Sequence, residues 1–215
     1  DVFERTWGKR PDLFWPSATG AVRRLYPDFK FMAEVYWDLE WTLQQQGFDY
    51  TYDKRLYDRL RAGDPRPVRE HLHAALDYQT KSARFLENHD EPRASASFDP
   101  AVHRAAAVIT YFIPGLRFFH QGQFEGRKKR ISPHLVRAPD ESPDKQIEEF
   151  YGRLLAILRK PIMKSGQFAR TMFTDPEVVG LLQKLGQDLI RTSKVVDAIN
   201  SAMAVSDAGF LADNL

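Results

Sequence analysis

The chain has 215 residues, of which 43% are hydrophobic and 28% charged, enough for one sizeable core and at most two small domains. Lys+Arg 31 against Asp+Glu 29 leave a net charge of +2, without the concentrated basic face of a nucleic-acid binder; the short run Arg127-Lys128-Lys129-Arg130 reads as a solvated loop. The absence of cysteine excludes disulfides, thiolate chemistry and cysteine-ligated zinc.

The elements follow in chain order. Residues 16–25 read as a short helix with Pro16 near its start, ended by Tyr26-Pro27-Asp28. Residues 29–36 form a near-continuous apolar run, interrupted by Lys30 and Glu34, and read as a buried strand. An amphipathic helix over 39–46 stops at Gly47. Residues 48–52 alternate aromatic and polar side chains as a second strand ending near Asp53, and 54–61 are helical with Leu56 and Leu60 four apart. The stretch Gly63-Asp64-Pro65-Arg66-Pro67 reads as loop, and 68–79 as a helix with Leu72, Ala75 and Leu76 on one face. A third strand over 83–87 leads into the loop Glu91-Pro92-Arg93. Asp99 as N-cap and Pro100 at the first helical position open a helix that runs to Phe112. Pro114-Gly115 introduces a fourth strand, 116–119, with His120-Gln121-Gly122-Gln123 at its end.

Strands alternating with helices imply parallel pairing with helical crossovers, hence an α/β fold. Beyond residue 126 the pattern changes. Residues 126–143 are polar loop, and 144–159 form an amphipathic helix carrying Ile147, Phe150, Leu154, Leu155 and Leu158. Thr174-Asp175-Pro176-Glu177 is a capping box. Leu182, Leu185, Leu189, Val196, Ile199 and Met203 follow at helical spacing, either packed on the domain or forming a self-association seam. No apolar run approaches the roughly 20 residues of a membrane helix, so no membrane partner is expected. There is neither a signal peptide nor an initiating Met, and the cytoplasm is the expected compartment.

Chemistry concentrates at two strand ends. The run Phe31-Met32-Ala33-Glu34-Val35-Tyr36-Trp37 delivers one carboxylate, and Phe85-Leu86-Glu87-Asn88-His89-Asp90 delivers Asn, His and a second carboxylate. Parallel α/β folds place their sites at C-terminal strand ends. Two such carboxylates are the material for acid-assisted cleavage or transfer of a glycosidic bond. Trp15, Trp37 and Trp41 lie near the first run, and aromatic rings stack on the apolar faces of sugars.

These two segments resemble glycoside hydrolase family 13, the α-amylase family. The first is similar to its fifth-strand segment with the general acid/base. The second resembles its seventh-strand F-x-x-N-H-D segment, and Pro114-Gly115 with the strand after it resembles the eighth strand. The resemblance covers about residues 1–160. It implies a partial (β/α)8 TIM barrel, about strands 5 to 8 with their helices, followed by a helical C-terminal segment. Residues 1–126 would be the C-terminal half of the barrel, 127–170 a loop and a barrel-associated helix, and 171–215 a C-terminal amphipathic helix.

The resemblance further implies that Glu34 is the general acid/base and Asp90 the carboxylate that stabilises the transition state. His89 and Asn88 would contact the sugar, and Tyr36 and Trp37 would lie near the acceptor side. The substrate would be an α-glucan or oligosaccharide, with no cofactor and no metal. Burial of Glu34 beside Trp37 would suit it to proton donation. The family's nucleophile is an Asp on its fourth strand, in a G-x-R-x-D segment, and no such segment is expected anywhere in this chain. The chain alone is therefore expected to be inactive, as the C-terminal half of a barrel. Its strand edges, or its C-terminal helix, would then favour self-association.

Two other interpretations remain open at this point. One is a non-catalytic, degenerate barrel module that acts in assembly through the C-terminal helix. The other is a metal site from Glu34, His89, Asp90 and His120, for which no compact ligand spacing speaks.

Overall fold

A computed structural model describes residues 11–36, 38–132, 134 and 137–159, with side chains from residue 14 onward. The expected capping box at Thr174 and the helical pattern from Leu182 to Met203 lie outside the described residues.

The first helix, α1 (Pro11–Leu25), starts five residues earlier than expected, so Pro16 lies inside it. Proline donates no backbone hydrogen bond. Next to this interruption Thr19 Oγ1 donates to the Trp15 carbonyl at 2.9 Å. The helix ends at Leu25, just before Tyr26-Pro27, where the residue preceding proline is steered away from helical geometry.

Four strands follow: β1 (Met32–Ala33), β2 (Tyr50–Tyr52), β3 (Ser82–Arg84) and β4 (Leu116–Arg117). They form one parallel sheet in the order β1-β2-β3-β4, with Met32 opposite Tyr50, Thr51 opposite Ser82 and Ala83 opposite Leu116. The α/β architecture with parallel pairing is as expected, but each strand is shorter than its apolar run. The run 29–36 is also not uniformly buried. Met32 and Glu34 are exposed while Ala33 and Val35 are buried, because β1 is an outer strand of this sheet and its residues alternate between two environments.

The crossovers are helical. Helix α2 (Glu40–Gln45) joins β1 to β2. Helices α3 (Lys54–Ala62), α4 (Pro65–Leu72) and α5 (Leu76–Thr80) join β2 to β3. The expected single helix over 68–79 is thus two, and its start moves back to Pro65. Asp64 explains that shift: it caps α4 by accepting from Arg66 N at 3.0 Å, with Pro65 in the first turn. Helices α6 (Ala94–Ser97) and α7 (Pro100–Phe112) join β3 to β4, and α8 (Lys145–Leu158) follows. Asp99 occupies the N-cap of α7 but makes no capping hydrogen bond, whereas Asp144 caps α8 through Gln146 N and Ile147 N. Gly115, before β4, has φ +132°, and a Cβ there would meet the Ser82 carbonyl oxygen at 2.5 Å, so only glycine fits.

The main core joins Tyr52, Ala83, Phe85 and Leu86 to Leu56 and Tyr57 of α3, to α7, and to Phe150, Tyr151 and Leu154 of α8. Helix α7 is buried all round from Ala105 to Phe112, as expected of a helix covered on several sides. No helix among the described residues is long and apolar enough to cross a membrane.

A buried charge cluster crosses this core. Asp53, directly after β2, caps α3 by accepting from Leu56 N at 3.1 Å. Its other oxygen takes the Arg84 guanidinium and lies 2.9 Å from His71 Nε2. Arg84 is fully buried and donates also to Gln79 Oε1 at 3.2 Å and to the Pro114 carbonyl at 3.1 Å. Burial alone would raise the Asp53 pKa; Arg84, His71 and the Leu56 N–H outweigh it and hold the carboxyl down to about 2.

Because that value lies below the ordinary carboxylate range, the stabilisation is complete above pH ~4 and is lost as pH falls toward ~2, amounting to about 2–3 kcal/mol. Urea unfolding across that interval is expected to show the loss, and Asp53→Asn is expected to flatten it. At neutral pH Asp53→Asn leaves Arg84 buried without a countercharge, at a cost of about 3–5 kcal/mol.

Candidate functional site

All four strands run the same way, so their C-terminal ends lie along one edge of the sheet. That edge carries Glu34 after β1, Asp53 after β2, the segment Glu87 to Asp90 after β3, and His120 after β4. Although β2 lies between β1 and β3, one ligand atom each of Glu34, His89 and Asp90 lies within 4.8 Å of the others. His89 Nε2 stands 3.4 Å from Asp90 Oδ2, with both side chains about half exposed. The Tyr36 hydroxyl donates to Glu34 Oε1 at 2.9 Å.

Tyr36 and Tyr52 have pKa values above the ordinary phenol range, first because of burial and then because of these carboxylates. For Tyr36, the hydrogen bond to Glu34 adds to the shift. Tyr52, which ends β2 and responds to both Glu34 and Asp90, was not among the expected site residues. Its position between the two carboxylate-bearing strands follows only from the strand order.

Two expected features differ. Glu34 is exposed rather than partly buried. Trp37, its expected neighbour, lies outside the described residues. Asn88 is also not placed as a sugar contact: it is 1% exposed, and its Oδ1 accepts from Asp90 N at 2.9 Å and Glu91 N at 2.8 Å. It thereby shapes the turn that presents His89 and Asp90. The spelling G-x-R-x-D does occur once, at Gly8-Lys9-Arg10-Pro11-Asp12. Asp12 lies in the first turn of α1, ahead of β1.

Beneath the exposed trio lies a second buried charge cluster. Glu87 is buried, accepts from Ala94 N at 2.7 Å, and has Arg93 Nη1 2.7 Å from its other oxygen as an ion pair. The same guanidinium lies 2.6 Å from His120 Nδ1 and donates to the Gln121 carbonyl at 2.8 Å. Gly122 makes room for it: with φ +88°, a Cβ there would lie 2.1 Å from Arg93 Nη2. Burial pushes the Glu87 carboxyl up to about 7, against the opposing effects of Ala94 N–H and Arg93 and with a further upward push from Glu125. Burial, with Arg93 and His89 nearby, lowers the His120 pKa.

His120, after β4, is therefore held against Arg93 rather than joining Glu34, His89 and Asp90. Arg93, to which sequence reasoning gave no role, ties these two strand ends together. The basic run is partly engaged by its own loop: Glu141 accepts from Lys128 N at 2.7 Å and Lys129 N at 3.1 Å, and Arg130 Nε reaches the His89 carbonyl at 3.4 Å.

Comparison with models of protein families finds no match to this chain, and comparison with curated proteins finds none either.

Arg93→Ala would leave Glu87 buried without its partner, with an expected loss of about 3–5 kcal/mol by urea unfolding; adding Glu87→Gln should recover part of it. Asn88→Ala removes the acceptor of two backbone donors and should cost about 1–3 kcal/mol. Amide exchange at Asp90 and Glu91 should rise in Asn88→Ala and return toward normal in Asn88→Asp, which keeps an acceptor oxygen.

Proposed function

We propose that the chain carries the sugar-binding and proton-donating part of an α-glucan-active retaining glycosidase or transglycosylase of α-amylase type. The observation that carries this proposal is the meeting of Glu34 with His89 and Asp90, the residues of the two segments that resemble that family. The sheet order lends support. Parallel strands in strict sequence order put right-handed crossovers on one face, as in a (β/α)8 barrel. Doubly wound sheets instead reverse direction at a switch point. A barrel sector is accordingly the architecture we propose, with sites at the strand ends as barrels have them.

In this proposal Glu34 donates its proton to the glycosidic oxygen as the bond to the leaving sugar breaks, and later takes one from the incoming acceptor. Asp90 stabilises the positive charge that develops on the sugar ring. His89 hydrogen-bonds a sugar hydroxyl beside it, and the Tyr36 hydroxyl orients Glu34. Asn88 acts through the backbone of Asp90 rather than on the sugar. The attacking carboxylate would come from a strand preceding β1, and no strand precedes β1 among the described residues. The outer edge of β1, near exposed Leu25, Tyr26, Phe29 and Met32, is the surface we propose for association with another strand or copy.

Isothermal titration with maltooligosaccharides is expected to show saturable binding that is lost in Asp90→Ala, with no bond cleavage by the chain alone. Absence of saturable binding would sink the proposal. Sustained turnover that disappears in Asp90→Asn would instead make Asp90 the nucleophile, since retaining enzymes hold their two carboxyls about 5–5.5 Å apart.

A further inference from the structure

We infer that Glu34, His89 and Asp90 form a binding site for a first-row transition-metal dication, with zinc as the best fit. The three candidate ligand atoms lie within 4.8 Å of one another. Zinc bonds of about 2.0–2.2 Å in tetrahedral geometry place neighbouring ligand atoms about 3.3 Å apart, so small side-chain rotations suffice. His89 Nε2 already stands 3.4 Å from Asp90 Oδ2. Two carboxylates and one imidazole are also a donor set suited to zinc, leaving a fourth position for water. Calcium and magnesium prefer all-oxygen coordination, so the imidazole donor favours zinc over them here.

The electrostatics favour a cation. Two carboxylates this close repel each other. Among the described residues, the salt-bridge partner of Asp90 is His89, and no lysine or arginine forms a salt bridge with Glu34 or Asp90. The side chains are exposed enough for an ion to enter. The ligands are also held in place: the sheet sets β1 and β3 on either side of β2, Asn88 fixes the turn at Asp90, and Tyr36 orients Glu34. The fourth residue of the sequence-based metal set, His120, is instead engaged by Arg93, so the site has three protein ligands. This inference uses the same strand ends as the proposed carbohydrate site but does not require it. An ion bound there would compete with a sugar for Glu34 and Asp90.

The test is isothermal titration of the 215-residue chain with zinc chloride near neutral pH, with magnesium and calcium chloride as competitors. A single zinc ion per chain is expected, undisturbed by either competitor. His89→Ala and Glu34→Gln should each weaken binding by more than the roughly 10–100-fold that outer-shell partners contribute. His73→Ala, at an exposed histidine outside the trio, should change nothing. No zinc binding, unchanged binding in His89→Ala, or loss in His73→Ala would each overturn the inference. Zinc binding without maltooligosaccharide binding would uphold this site and defeat the carbohydrate proposal, and the converse result would do the reverse.

Discussion

The Arg84 guanidinium is the constraint on which the arrangement of this sheet depends. A charge this deeply buried is tolerated only when its donors are paired, because the lost hydration must be replaced. Its partners come from everywhere around it: Asp53 at the end of β2, Gln79 on α5, and the carbonyl of Pro114 before β4. Asp53 in turn caps α3 and meets His71 of α4. One side chain thereby ties three strands to three crossover helices, and shifting any of them would leave a buried polar group unmatched. Gly115 belongs to the same constraint, since its missing Cβ lets the Pro114-Gly115 turn approach β3.

The edge of polar strand ends rests on a second cluster of the same kind. Glu87 and Arg93 are buried beneath His89 and Asp90 and link the end of β3 to the end of β4 through His120 and Gln121. The division of labour is physical. Glu87 accepts from Ala94 N, Arg93 donates to the Gln121 carbonyl, and Asn88 Oδ1 accepts from Asp90 N and Glu91 N, so these buried side chains fix backbone and loops. Glu34, His89 and Asp90 instead keep their side chains open to solvent. The network continues inward, where Gln123 donates to the Tyr111 and Tyr151 hydroxyls at 2.7 and 2.8 Å. The strand-end loops are thus anchored to α7 and α8 and not only to each other.

Much of this was legible in the residues. The apolar runs ending in polar clusters located every strand, Gly47 and Gly63 marked helix ends, and Pro100 marked the start of α7, whereas Pro16 proved to lie inside α1 and Pro65 to open a helix where loop was expected. Strand length was not legible, because pairing rather than hydrophobicity limits a ladder, and the run 29–36 pairs on one side only among the described residues. The break between α4 and α5 was also hidden, because Leu72, Ala75 and Leu76 keep a helical spacing across it. The pairing of Arg93 with His120 escaped for a different reason: an arginine or histidine in a loop has no periodic signature, and only the distance between strand ends shows what it can reach.

The sequence by itself determined the alternation of strands and helices, and with it a parallel sheet and the edge on which polar strand ends collect. Periodicity and turn chemistry are local, so they can be read one segment at a time. Tertiary structure alone decided which of those polar residues meet. It brought Glu34 to His89 and Asp90 across an intervening strand, drew His120 away to Arg93, and turned Asn88 inward to its own backbone. Those outcomes depend on strand order and on the pairing of buried charge, and both are properties of the whole packed chain.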